Sequence, residues 1–162
     1  SITNLTLSVA DQWRLTTTFT GDADPIASNL EQVDVAARLQ GTIGSAMTQS
    51  SGIFTFPSTG IYLVTFNGRF SLNGDDRSIT GHIKATTDNS NYYDTAAFTT
   101  FIQQTSSNWT GASGSAQAIV DVIDTANDKV KFVIDVQNAS TQTDGSTNDS
   151  LTTVTFLRLG DT

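Results

Sequence analysis

Polar and apolar residues alternate along most of this chain, with the two-residue period of strands that bury one face. The pattern is clearest after Gly60. There Tyr62, Val64, Phe66, Gly68, Phe70 and Leu72 share one parity, and Asn67, Arg69 and Ser71 share the other. Ile61 and Leu63 carry the apolar character onto the second parity as well. A strand that is apolar on both faces at its start fits between a core and a subunit interface. Ile61 and Leu63 are therefore expected where copies of the chain meet. Trp13, Leu15, Thr17 and Phe19 alternate with Arg14, Thr16 and Thr18. Ala116, Ala118, Val120 and Val122 form one face of a later strand. After a polar turn at residues 124–128, Val130, Phe132, Ile134 and Val136 stand opposite Lys129, Lys131 and Asp135. The last strand spans residues 152–159, where Val154 and Phe156 oppose Thr155, Leu157 and Leu159.

Turn-rich polar stretches separate these strands, at residues 21–25, 73–77, 87–91, 105–115 and 138–150. The last two are long for a compact domain. Each is either a binding loop carried on a rigid sheet or a solvated connection. Residues 29–39 are the one helix candidate, but Leu30, Val33, Val35, Ala36, Ala37 and Leu39 fit neither period, so irregular or short structure is expected there. Many short strands with regular turns point to an all-β sandwich or jelly roll. Residues 1–162 read as a single domain, with residues 1–12 the candidate for an N-terminal arm.

Charge narrows the range of partners. The net charge is −8 and only 15% of residues are charged. Such a surface repels phosphate backbones and anionic membranes, so neither nucleic-acid binding nor membrane attachment is expected. No apolar run approaches the roughly 20 residues of a membrane helix. The chain has no cysteine, which excludes disulfides and thiolate metal sites. Without a covalent staple, a robust particle-borne or extracellular protein gains stability by oligomerising.

Candidate chemistry is sparse. The single histidine, His82, sits on an expected strand at residues 78–86 without a nucleophile motif beside it, so a structural role is expected. Glu occurs only at Glu31, and no two acids stand out as a hydrolytic pair. No cofactor is expected. Calcium with oxygen ligands remains open at the Asp75-Asp76 turn and the acidic stretch 144–149, although neither matches an EF-hand, and turns carry Asp for backbone reasons alone. Trp109, in a loop otherwise built of small polar residues, and the Tyr92-Tyr93 pair are candidate partner anchors, with Asp75 and Asp76 beside them. Either aromatic group could equally tuck under its own loop. Asn4, Asn108, Asn138 and Asn148 begin Asn-x-Ser/Thr sequons that a chain so rich in these residues forms by chance.

The run Gly52-Ile53-Phe54-Thr55-Phe56-Pro57-Ser58-Thr59-Gly60-Ile61-Tyr62-Leu63-Val64-Thr65-Phe66 resembles a phrase of the tumour necrosis factor and complement globular-head superfamily. That phrase is Gly-x-Phe, a Pro-x-x-Gly turn, then Tyr-x-Phe on the next strand. Residues 114–122 followed by Asn127-Asp128-Lys129-Val130-Lys131-Phe132 resemble the family's late hairpin, and residues 153–159 its closing strand. The likeness spans residues 13–159. It implies a ten-stranded jelly-roll β-sandwich that assembles as a homotrimer, with Tyr62 near the trimer axis. It also implies non-enzymatic recognition through loops and subunit seams. Residues 10–17 and 54–60 are most similar to variants in bacteriophage fibre and structural proteins, and the cysteine-free, Asn- and Thr-rich composition suits that source. Two functions at a virion surface follow as expectations. One is the receptor-binding head of a tail fibre, contacting a host-cell receptor or glycan. The other is a trimeric decoration protein clamping a capsid protein.

Overall fold

The computed structural model describes residues 6–162. The Asn4 sequon and the first residues of the expected arm lie outside them. In chain order the strands are β1 (Ala10–Leu15), β2 (Phe19–Thr20), β3 (Leu30–Gln32), β4 (Thr48–Ser50), β5 (Ile53–Thr55), β6 (Gly60–Leu72), β7 (Asp76–Thr86), β8 (Tyr93–Ile102), β9 (Thr110–Val122), β10 (Lys129–Val136), β11 (Gln142–Thr143) and β12 (Thr153–Gly160). One sheet runs β3-β1-β12-β6-β9, and the two-residue strands β2 and β11 extend it beside the far half of β6. The other runs β4-β5-β10-β7-β8, and every ladder is antiparallel. Ten strands in two facing sheets make the jelly roll; β2 and β11 are an appendage.

The alternation explains the layers. On β6 the even residues from Tyr62 to Leu72 are buried between the sheets, and the odd ones from Ile61 to Ser71 face away. Phe66 is fully buried, as its parity requires. Ring centroids of Phe66 and Phe132 lie 5.2 Å apart, those of Phe54 and Phe132 5.5 Å, and those of Phe54 and Phe156 5.3 Å. This aromatic spine joins β5, β6, β10 and β12. Each ring taken from water contributes about 1.5–3 kcal/mol. At the Pro-x-x-Gly turn, Gly60 has φ of +141°, and a Cβ there would stand 2.5 Å from the Gly160 carbonyl oxygen. Only glycine lets the chain enter β6 this way.

Four expectations change. Residues 10–12, read as arm, are the start of β1 and pair with β12. The expected strand from Trp13 to Phe19 stops at Leu15: the Thr16 backbone N–H makes the last bond toward β3, to the Asn29 carbonyl at 2.8 Å, and Asn29, with φ of +59°, turns the partner strand away. The expected loop 105–115 is strand from Thr110 onward, because β6 supplies a full ladder from Leu72 opposite Thr110 to Asn67 opposite Ser115. The stretch 138–150 contains β11. Residues 29–39 hold β3 and a 3-10 turn at Ala36–Arg38, and are otherwise irregular, as expected.

Candidate functional site

The face of the β3-β1-β12-β6-β9 sheet that turns away from the core carries a row of apolar residues. Ile119 on β9 stands opposite Leu63 on β6, Leu63 opposite Leu157 on β12, and Leu157 opposite Ala10 on β1. An isolated bridge continues the row from Ala10 to Ile43. Ile119 is 68% exposed and Ile43 47%, while Leu63, Leu157 and Ala10 are half-buried. The next row is polar: Gln117, Thr65, Thr155 and Gln12, with Gln12 Nε2 donating to Thr155 Oγ1 at 2.8 Å. The row beyond holds Ser115, Asn67, Thr153 and Arg14, whose guanidinium pairs with Glu31 at 3.1 Å. Thus this face is apolar at the Ile61 end and polar beyond it.

Tyr62 does not belong to that face. Its side chain is fully buried within one protomer, 4.8 Å ring to ring from Phe56, and its hydroxyl donates to the Ser58 carbonyl at 2.9 Å. The assignment of Tyr62 to a subunit interface is corrected: no surface of it is left for a neighbour to touch. Ile61 and Leu63 do stand on the outward face, half-buried. Ile119, Leu157, Ala10 and Ile43, which join them, were not singled out from sequence. Alternation flags Ile119, Leu157 and Ala10 as outward on their own strands, but only the register puts them in line, and Ile43 joins through a bridge that no alternation marks.

One side of the sandwich is open. Among the described residues β9 pairs only with β6 and β8 only with β7, so both sheets end there in strands of 13 and 10 residues. Long edges are usually blunted by charge or proline. Their only charged residues are Asp121 and Asp94, among small, apolar or uncharged residues such as Gly111, Ser113, Ala97 and Phe101.

The expected loop anchors divide between the two ends of the sandwich. Asp75, Asp76 and Trp109 lie at the end where β6 passes into β7 and β8 into β9. Tyr92 and Tyr93 lie at the other end, where β7 passes into β8. The ten residues of β8 separate them by about 30 Å. Trp109 is 54% exposed and Tyr93 72%. Tyr92 is half-buried and lends its ring to the Lys131 ammonium, 4.7 Å from the centroid. Burial raises the Tyr92 phenol above its ordinary value, and the Asp88 carboxylate adds to this. Asp75 is exposed, with Oδ1 accepting the Gln104 backbone N–H at 2.6 Å. Asp76 is corrected from partner contact to structure: it is buried and accepts bonds from Ser78 N, Asn138 N and Thr141 Oγ1.

Other polar groups are committed to the protein itself. His82 lies on the outer face of the second sheet, its ring nitrogens 3.1 Å from Asp94 and 3.0 Å from Asp135. No hydroxyl bonds it among the described residues. For the calcium candidates, Asp76 is spent as above, Asp144 accepts from Ser71 Oγ and pairs with Arg69, and Asp149 pairs with Arg38. Among the described residues no three His, Cys, Asp or Glu side chains are grouped to hold a metal ion. At turn 124–128 the Asp124 carboxyl is held below its ordinary range by the Ala126 backbone N–H and the Asn127 amide.

No protein-family model matches this sequence, and no curated protein matches it. Solved structures do match the fold. The structure of Eiger TNF from S. frugiperda superimposes with a TM-score of 0.66 at 13% identity, covering 94% of this chain and 93% of that one. Murine APRIL at pH 8.5 gives 0.60 at 13% identity, covering 93% and 98%. The same protein at pH 5.0 gives 0.59 at 10% identity. The five-plus-five arrangement of strands, with both long edges on one side, is the tumour necrosis factor type of jelly roll.

Proposed function

We propose that the chain is a non-enzymatic binding module that works as a homotrimer. The observation that carries this is the register-matched apolar row Ile119-Leu63-Leu157-Ala10-Ile43 on the outward face of the sheet, open to solvent at Ile119 and Ile43. Apolar side chains aligned across four strands and a bridge are a docking surface, not scattered surface residues. The charge-poor edges β8 and β9 give each protomer a second sticky surface. A face on one copy meeting an edge on the next is a heterologous contact, and three such contacts close a ring where an open series would make filaments. Light scattering should give three times the chain mass of 17.2 kDa. A monomer mass at micromolar concentration would sink the proposal.

The non-enzymatic reading is supported by how the polar residues are spent. The one histidine is enclosed by two carboxylates, and the buried acids Asp11 and Asp76 are saturated by protein donors. Trp109 and Asp75 at one end and Tyr93 at the other are assigned as partner anchors. The finer reading is a receptor-binding head on a bacteriophage fibre, displayed at the virion surface, with a capsid decoration protein as the alternative. It is supported by the likeness of residues 10–17 and 54–60 to phage structural proteins and by the composition; the solved structures bear on the fold alone. Binding of the purified protein to host cells or to assembled capsids distinguishes the two, and binding to neither would end both.

A further inference from the structure

The end of the sandwich that carries Trp109 opens into a cavity of about 790 Å3. Asp75 and Arg77 line it from the start of β7, Phe101 and Gln103 from the end of β8, and Gln137 and Asn138 from the segment after β10. Arg77 stands apart from the other cations. Of eight Lys and Arg, six pair with carboxylates: Arg14 with Glu31, Arg38 with Asp149, Arg69 with Asp144, Lys84 with Asp94, Lys131 with Asp24 and Arg158 with Asp161. Lys129 donates to the Thr125 carbonyl. Among the described residues Arg77 alone has no acceptor, in a chain with twice as many acids as bases.

The backbone presents Arg77 deliberately. From Asp76 to Ile79 the chain takes three steps on β7, while its partners Ile102 to Thr100 on β8 take two. That extra residue is a bulge at Arg77-Ser78, and bulges re-aim a side chain out of the ladder. Buried Asp76 holds the bulge, taking the Ser78 N–H on Oδ1 and Asn138 N and Thr141 Oγ1 on Oδ2. Phe101, 63% exposed, stands at the same mouth.

We infer that this cavity binds a single pyranose sugar bearing a carboxylate, of the uronic acid type. The Phe101 ring offers a flat face for the apolar side of the sugar. The guanidinium fork matches a carboxylate in two parallel bonds. The amides of Gln103 and Gln137 both donate and accept, as sugar hydroxyls require, while Asn138, bonded to the Asp75 carbonyl and the Ser140 N–H, fixes the wall between them. One terminal acidic residue fits better than a polyanion, which the net charge of −8 and Asp75 at the rim would repel. This deepens the binding reading above but does not depend on the trimer: Leu63 and Leu72 are nine residues apart on β6, so the cavity lies about 30 Å from the apolar row.

The test uses methyl β-glucuronide and methyl β-glucoside, which differ only in the carboxylate, titrated into the isotope-labelled full chain by NMR, with mass measured on the same sample. The glucuronide should give saturable shifts at the amides of residues 101–103 and 137–138, and the glucoside should bind at least about tenfold more weakly. Arg77→Gln should make the two sugars equal, and Phe101→Ala should weaken both; both side chains are exposed, so the variants keep the fold. Equal binding of the two sugars by the unaltered protein, shifts elsewhere, or no saturable shift with the glucuronide overturns the inference. A monomer that still binds the glucuronide sinks only the trimer, and a trimer that does not bind it sinks only this site.

Discussion

The ring of Phe98 on β8 lies across Gly114 on β9, so that a Cβ built on Gly114 would stand 2.1 Å from the ring. The same ring closes over Gly81 of β7 and Gly68 of β6, where a Cβ would stand 2.3 Å and 2.9 Å from it. One aromatic thus fills the space left by three absent side chains and seals the two open edges together. Gly114→Ala should force the ring aside and cost about 1–3 kcal/mol by overpacking. Phe98→Leu in the same background should recover part of that loss, because the two sites share one space. Urea midpoints with unchanged slope would register both effects. A neutral Gly114→Ala would show that the Phe98 ring does not pack against Gly114.

A second pair concerns a buried charge. Arg14 is almost completely buried on the outward side of β1, and Glu31, the only glutamate in the chain, stands opposite it on β3. Glu31→Ala should cost about 2–3 kcal/mol, toward the low end for orphaning a buried charge because Glu31 keeps one side in water. Replacing both, Arg14→Met with Glu31→Leu, should come closer to the parent than Glu31→Ala does. Thermal melts of the three variants check this. A double variant less stable than Glu31→Ala would show that Arg14 is held by something other than its ion pair.

Much of the fold was legible because large residues alternate. The parities of β6, β10 and β12 are set by Phe66, Phe132 and Phe156, which have no other place to go than between the sheets. The first half of β9 was not legible, because Gly111, Ser113 and Gly114 have no strand preference; at Gly114 the Phe98 ring occupies the place of a side chain. Tyr62 shows a different failure. Its parity puts it in the core with Phe66, and parity prevails over the position near the trimer axis that the family likeness implies. The division of Trp109 from Tyr93 follows from the ten-residue strand between them, whose length was hidden in the ambiguous run Ala96-Ala97-Phe98-Thr99-Thr100-Phe101-Ile102. Phe101 was missed for the same reason. The bulge that frees Arg77 depends on pairing with β8 and leaves no mark in the sequence.

Acid should act on the turn between β7 and β8. The Asp88 carboxyl is held well below the ordinary carboxylate range, chiefly by the Asn91 backbone N–H, then by the Asn91 side chain, Thr86 Oγ1 and the Ser90 backbone N–H. A carboxyl depressed in the folded state contributes stability above its unfolded value, near pH 4, and loses it as pH falls toward the folded value. Asp88→Asn should therefore melt lower than the parent at pH 7, and the gap should close on acidification toward pH 2. A gap that stays constant from pH 7 to pH 2 would show that the charge of Asp88 does not matter to the turn.

The two faces of β6 separate folding from assembly on a single strand. Phe66→Ala leaves a cavity between the sheets and should cost about 3–5 kcal/mol. That is a large share of the stability of a small domain, so this variant should fold poorly at every concentration. Tyr62→Phe removes only the hydroxyl that bonds Ser58, at a cost of about 1 kcal/mol, and should leave the assembled mass unchanged. Leu63→Glu lies one residue away but faces outward, in the apolar row between Ile119 and Leu157. It should leave the protomer folded while placing a charge where a neighbour docks. Its mass should fall to that of one chain at low micromolar concentration. The melting temperature of the parent should rise with concentration over a hundredfold range, as mass action requires of a linked trimer, and that of Leu63→Glu should not. A Leu63→Glu protein that remains a trimer would move the interface off this face of the sheet, and a Tyr62→Phe protein that dissociates would return Tyr62 to the interface.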